Sequence, residues 1–173
     1  MLSIDESVFH FINNLAGKWT ALDSVVIWAN RWGIAAFSLI LVYYFFKNSK
    51  IFWTVGLSAL LSRGILKELI NFLLPRPRPF LVYEHVHILT VQTNLIDGLS
   101  SPAFPSGHAA YLFAIAFAIF YINRKLGWLL LVAAAFLSVA RIYLGVHYPS
   151  DVIAGAIIAW ISAISLRKLV FSK

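Results

Sequence analysis

Three stretches of the chain carry residue types that can bind an anion and move protons. In Ser101-Pro102-Ala103-Phe104-Pro105-Ser106-Gly107-His108-Ala109, Ser106 is a good N-cap for the apolar helix that follows, and Gly107 lets a ligand approach the backbone closely. The free amides and dipole of such a helix start attract an anion, with His108 in the first turn beside it. In Arg141-Ile142-Tyr143-Leu144-Gly145-Val146-His147-Tyr148-Pro149-Ser150-Asp151, an arginine near the end of one apolar run precedes a histidine at its exit and an aspartate opening the next. A carboxylate near an imidazole can fix its tautomer and stabilise its charged form. In Lys67-Glu68-Leu69-Ile70-Asn71-Phe72-Leu73-Leu74-Pro75-Arg76-Pro77-Arg78-Pro79-Phe80, the helical pattern stops at the prolines and leaves two arginines, whose planar forks suit phosphate oxygens. Alone, that Arg-Pro pair reads first as a snorkelling anchor.

The elements that must position these residues follow from composition. Of 173 residues, 61% are hydrophobic and 12% charged, against about 45–50% and 25% in soluble domains. A soluble domain of this size cannot hide so much apolar surface. The expected fold is therefore an all-α polytopic membrane bundle forming a single domain over residues 1–173. Lys plus Arg total 14 and Asp plus Glu 7, a formal charge of +7. The basic residues are scattered between apolar runs and make no basic face with interleaved aromatics, which argues against nucleic acid. With no cysteine there is no disulfide, thiolate metal site or cysteine nucleophile. The acidic start Met1-Leu2-Ser3-Ile4-Asp5-Glu6 lacks the basic opening of a signal peptide.

A bilayer-spanning helix needs about 20 apolar residues. Runs at roughly 32–47, which can begin earlier, and at 51–74, 107–122, 127–147 and 151–171 meet or approach that length. Residues 4–30 mix Phe9, Phe11, Ile12, Leu15, Trp19, Leu22, Val25 and Trp28 with Asn13, Asn14, Lys18 and Asp23, the pattern of an interfacial segment. The expectation is five or six transmembrane helices with an N-terminal interfacial segment. If five runs cross, Lys47, Lys50, Arg124, Lys125, Arg167, Lys168 and Lys173 share one face that carries no acid. The positive-inside rule makes that face cytoplasmic, and the loop 75–106 and the connection 147–151 extracytoplasmic.

With these residues in view, Pro105-Ser106-Gly107-His108 and Arg141-x5-His147-x3-Asp151 resemble motifs two and three of the type 2 phosphatidic acid phosphatase superfamily, over roughly residues 67–155. Arg78-Pro79-Phe80, Phe104-Pro105-Ser106 and the segments Arg141-Ile142 and Tyr148-Pro149 resemble its bacitracin-resistance undecaprenyl-diphosphatases. Two positions depart from the pattern. Lys67 is separated from Arg76 by eight residues and from Arg78 by ten, where the first motif usually has six, and Ala140 stands where serine is typical.

The resemblance implies hydrolysis of a membrane lipid phosphate or diphosphate through a phosphohistidine, with undecaprenyl diphosphate as the implied substrate. His147 would attack phosphorus, Asp151 would orient it, and His108 would protonate the departing oxygen. Arg78 or Arg76, Arg141, Lys67, Ser106 and the Gly107 amide would hold the phosphoryl oxygens. No metal and no cofactor are implied. The partners would be the bilayer and an isoprenoid or glycerolipid phosphate, in a bacterial inner membrane with the site facing outward. A phosphatidylglycerophosphate or phosphatidate phosphatase has the same residues, and a small transporter or lipid-binding membrane protein is the non-enzymatic alternative. For Lys67, a structural charge network with Arg63 and Glu68 competes with phosphate binding. His85 and His87 read as a polar loop, His10 as interfacial, and Ala133-Ala134-Ala135 and Ala154-Gly155-Ala156 as close helix packing.

Overall fold

The structure is a computed structural model that describes residues 3–89 and 101–167; Asp97, Lys168 and Lys173 lie outside the described residues. All regular structure among the described residues is helical. Helix α1 spans Ile4–Asn13 and α2 spans Thr20–Lys47. Next come α3, Ser49–Ala59, a π-helical stretch, Leu60–Leu66, and α4, Lys67–Leu73. The short α5, Pro79–Val82, precedes α6, Gly107–Ile122, α7, Arg124–Tyr143, and α8, Pro149–Leu166.

Local chemistry sets the boundaries. Ser3 and Glu6 form a reciprocal capping box at the start of α1, with Asp5 and Glu6 complementing its dipole. Asn48 and Asn123 each end one helix and cap the next, accepting from Ile51 N and Leu126 N at 3.1 Å. These single-residue joints make α2/α3 and α6/α7 tight antiparallel pairs. The joints from α3 through the π-helical stretch to α4 keep right-handed helical dihedrals, so Ser49–Leu73 is one rod with a widened middle.

Helix α6 is apolar on all sides and is the centre of the bundle, packed by α3, α7 and α8. Its Ala109, Ala110, Ala114, Ala116 and Ala118 are buried, and such small side chains let neighbours approach closely. The outer helices turn large apolar groups outward, among them Trp32, Leu39 and Phe46 on α2, Leu129, Val132 and Phe136 on α7, and Ile153 and Ile157 on α8. Helices α2, α7 and α8 are each long and apolar enough to cross a membrane, and α6 is a shorter apolar helix. Backbone amides satisfied within helices, with apolar side chains facing out, are what a lipid environment requires.

The span expected from about residue 32 begins at Thr20, so only α1 remains as a separate N-terminal segment. Two of the polar residues that argued for an interfacial segment, Asn13 and Asp23, have tertiary partners. Asp23 accepts from the Tyr143 hydroxyl at 2.6 Å, and Asn13 donates to the Tyr143 carbonyl at 2.8 Å. At 28 residues, α2 is ~42 Å long, beyond the ~30 Å hydrocarbon layer. Its stacked Trp28 and Trp32, with Arg31 over both rings, form an interfacial belt. At the opposite end from His108, Arg124 lies over Phe120 and Arg167 over Tyr121, which gathers two of the three basic segments.

Candidate active site

Helix α7 ends in a Schellman turn, with Val146 N donating to the Arg141 carbonyl at 3.1 Å and Gly145 N to the Ile142 carbonyl at 3.0 Å. Gly145 has φ +78°, and a Cβ there would meet Val86 Cγ1 at 2.7 Å. The turn delivers His147 to the start of α8. There Pro149 occupies the first turn and Asp151 accepts from Tyr148 N at 2.8 Å, so helix capping fixes the carboxylate. The same oxygen, Oδ2, lies 3.4 Å from His147 Nδ1, which leaves Nε2 as the nitrogen facing away from the aspartate. Asp151 is fully buried and His147 is 3% exposed. Burial pushes the His147 pKa down to about 4, against the opposing pull of Asp151 and with Arg141 and Arg78 adding to the fall. His147 is therefore neutral near pH 7, the form in which a ring nitrogen can attack.

The start of α6 lies against this pair. Ser106 caps α6, accepting from Ala109 N at 3.5 Å, and its own amide donates to the Asp151 carbonyl at 2.9 Å. His108, one residue into α6, lies within electrostatic range of Arg141, His147, Arg63 and Arg78. Lys67 reaches the same place, with Cε 3.6 Å from where a Gly107 Cβ would stand. Its Nζ pairs with the exposed Glu68 at 3.0 Å. The π-helical stretch sets this register, since Ser62 within it donates to the Ala110 carbonyl at 3.0 Å. Such wider helical turns are common at functional sites.

The arginines divide into two groups. Arg141 is buried, donates from one terminal nitrogen to Asn30 Oδ1 at 3.1 Å, and leaves Nε without a hydrogen-bond partner. Arg78 is buried too, and its partners are neutral: the Ser101 carbonyl at 3.1 Å, the Ser101 hydroxyl at 2.9 Å and the Val146 carbonyl at 3.4 Å. Arg76 is held by carboxylates, Asp5 at 2.8 Å and Asp151 at 3.1 Å, and its guanidinium stacks 3.7 Å above the Tyr148 ring. Asp5 also accepts from Ser150 N at 2.9 Å and the Ser150 hydroxyl at 2.6 Å. Burial opposes ionisation of Asp5, but these Ser150 bonds and Arg76 hold its carboxyl below the usual carboxylate range.

Lys67, Gly107, His108, Arg141, His147 and Asp151, all singled out from sequence, thus converge at one end of the bundle with Ser106 and Arg78. The charge network weighed for Lys67 is realised with Glu68, while Arg63 instead lies 5.9 Å over the Tyr111 ring. His87 uses its backbone, exchanging hydrogen bonds with the Asn13 amide at 2.9 and 3.0 Å, and His10 packs on Phe9 and Tyr83. No group of three or more His, Asp or Glu side chains among the described residues could hold a metal ion. Arg76 and Arg78 line a cleft of 230 Å³ together with Pro75, Pro77, Leu81, Ser101 and Pro102. Sequence reasoning missed Asp5, Asn30 and Ser150. Asn30 had a signal, as a lone amide next to Arg31 inside an otherwise apolar run; Asp5 counted only as part of the acidic start, and Ser150 carried no signal of its own.

Comparison with known proteins agrees with this fold. The bacitracin transport permease protein BcrC of Bacillus licheniformis is 32% identical over 166 residues, covering 94% of this chain and 78% of that protein. The undecaprenyl-diphosphatase BcrC of Bacillus subtilis is 32% identical over 157 residues, covering 88% and 77% respectively. The crystal structure of Aquifex aeolicus LpxE superposes with a TM-score of 0.81 at 26% identity, covering 96% of each chain. Residues 31–173 match the PAP2 superfamily as a whole, and these apolar helices with their convergent histidines and arginines make the chain an integral membrane lipid phosphatase that belongs to that superfamily.

Proposed function

We propose that this phosphatase hydrolyses undecaprenyl diphosphate to undecaprenyl phosphate and inorganic phosphate through a phosphohistidine on His147. The observation that carries this reading is the buried His147–Asp151 pair set among Arg141, Arg78 and the start of α6, a cationic cradle around a neutral imidazole. The terminal phosphoryl group binds between Arg78, Arg141 and the Gly107 amide, with Lys67 reaching the same oxygens. Arg76, saturated by carboxylates, takes no direct part in holding it.

His147 Nε2 attacks the terminal phosphorus, an N–P bond forms, and the bond to the bridging oxygen breaks. That oxygen leaves on the lipid phosphate and takes the proton of His108. Asp151 stabilises the positive imidazole at Nδ1. A water molecule, relieved of a proton by His108, then attacks the phosphohistidine and releases phosphate. Fixed donors aimed at equatorial oxygens supply most of the stabilisation that phosphoryl transfer needs. The substrate assignment draws support from the name of the Bacillus subtilis relative. The one-sided basic segments support a site on the extracytoplasmic face of a bacterial cell membrane.

Purified protein in detergent, offered undecaprenyl diphosphate, phosphatidylglycerophosphate and phosphatidate, tests the reading. Fastest phosphate release from the isoprenoid diphosphate is expected. Release from the glycerolipids alone moves the assignment to that class, and no release by folded protein removes the catalytic reading.

A further inference from the structure

Helix α1 lies ahead of the segment that matches the family, which begins at residue 31. Yet its Asp5 reaches the reacting end of the molecule. Asp5 Oδ2 accepts from Arg76 at 2.8 Å, Arg76 donates from its other terminal nitrogen to Asp151 Oδ1 at 3.1 Å, and Asp151 Oδ2 faces His147 Nδ1 at 3.4 Å. The chain of contacts Asp5–Arg76–Asp151–His147 sets a guanidinium between two carboxylates, ends on the imidazole, and joins α1, the connection after α4 and the start of α8. Asp151 is fully buried, and its two oxygens face different partners: Oδ2 the Tyr148 amide and His147, Oδ1 the guanidinium. Without Arg76, Oδ1 would be a buried acceptor with no cation, and the carboxylate could rotate about χ2 away from His147. Arg76 in turn is braced by Asp5 and by stacking on Tyr148 at 3.7 Å. Asp5 is itself locked to Ser150, one residue from Asp151.

We infer that Asp5 and Arg76 are positioning residues: α1 clasps the start of α8, and the Asp5–Arg76 pair holds the Asp151 carboxylate in the orientation that activates His147. This deepens the hydrolytic reading above and rests on it. A guanidinium that bridges two carboxylates from its two terminal nitrogens fixes direction as well as charge, which a lysine cannot reproduce.

The test uses the full chain in detergent with a lipid diphosphate, reading kcat and KM separately for Asp5→Asn, Arg76→Lys and Arg76→Gln. Loss of a group that orients a catalytic one usually costs about 10- to 100-fold. That loss should fall on kcat, with KM changed by less than about threefold, because Arg78 and Arg141 still bind the phosphate. Since the pair acts in series, Asp5→Asn combined with Arg76→Gln should be no slower than Arg76→Gln alone. Glu6→Gln is the control, because Glu6 ties α1 to the Tyr83 hydroxyl at 2.7 Å without touching Arg76 by a hydrogen bond; its kcat should stay at the wild-type value.

Wild-type kcat in Asp5→Asn and Arg76→Lys overturns the inference. So does an equal kcat loss in Glu6→Gln, which would make α1 docking alone responsible, or a rise in KM alone for Arg76→Gln, which would make Arg76 a phosphate ligand. If Asp5→Asn yields no folded protein, Arg76→Lys and Arg76→Gln decide by the same criteria. Absence of phosphate release by the wild-type protein would strike the hydrolytic reading instead, before any variant is compared.

Discussion

The Ser106 amide donates to the Asp151 carbonyl at 2.9 Å, so the residue that caps α6 is bonded to the main chain of the residue whose carboxylate faces His147. Two loops 45 positions apart in the sequence are thereby held as one unit, and α6 and α8 must stay in close contact for it to persist. Gly155, one turn into α8 from Asp151, makes that contact possible: a Cβ there would meet the Ser106 carbonyl at 2.7 Å and Ala109 Cβ at 2.8 Å.

Gly155→Ala should therefore push the two helix starts apart. The obstruction is backbone, which cannot swing aside as a flexible side chain can. Overpacking of this kind costs about 1–3 kcal/mol, and activity should drop by more than the lost stability explains. Thermal unfolding together with kcat on a lipid diphosphate checks both, and an active, equally stable Gly155→Ala would contradict the tight contact.

His147→Ala should abolish turnover on every lipid phosphate, while His108→Ala should spare part of the activity on substrates with good leaving groups. General acid catalysis contributes about 10²–10⁴-fold, so an aryl phosphate should recover much of the His108→Ala loss. Acid-labile, base-stable phosphate trapped on the protein during turnover should map to His147. Mapping to another residue would refute the nucleophile assignment.

The low pKa of His147, about 4, has a consequence for stability as well as rate. In the unfolded chain this histidine takes up its proton near pH 6.5, whereas folded and buried it stays neutral until about pH 4. The unfolded state therefore binds more protons between those values, and stability falls as pH is lowered through that window, with the full contribution present above pH ~6.5. Melting temperature should decline on acidification from pH 7 to 4.5, and His147→Gln should flatten the decline. An unchanged slope in the variant would mean that other groups set it.

Arg141→Lys should lower kcat/KM for lipid phosphates by about 10²–10³-fold, the usual effect of removing a donor aimed at transition-state charge. Lysine keeps the positive charge but not the planar fork, one terminal nitrogen of which donates to Asn30. Vanadate should inhibit the wild-type protein and bind more weakly to the variant, and a chelator should leave turnover intact. Chelator-sensitive activity restored by one divalent ion would count against direct attack by His147.

Single cysteines placed in this cysteine-free chain can report its orientation. An impermeant thiol reagent applied outside intact cells should label Glu84→Cys, in the exposed connection after α5, and not Lys47→Cys, at the end of α2. The reverse pattern would turn the protein over in the membrane.

The sequence by itself determined the class of molecule and the residues that gather at one end of it. Apolar runs near bilayer length leave few options besides a helical bundle, because every backbone amide in lipid must bond within its own helix. The His147 and Asp151 spacing is local too: four residues across a proline-started helix turn, with Asp151 set by the cap it makes to Tyr148. The same holds for Ser106, Gly107 and His108, which lie in one helix start. What only the tertiary structure decided are the relations between distant segments. Arg76 and Arg78 are chemically alike in the sequence and differ by their surroundings: one meets Asp5 and Asp151, the other the neutral oxygens of Ser101 and Val146. Lys67, whose spacing to the arginines departs from the usual motif, still reaches Gly107 from the rod that the π-helical stretch widens. Asp5 sits in a helix that reads as an interfacial anchor, and Asn30 in an ordinary apolar run. Their roles depend on which charges the folded bundle brings within about 3 Å, and no local periodicity encodes that distance.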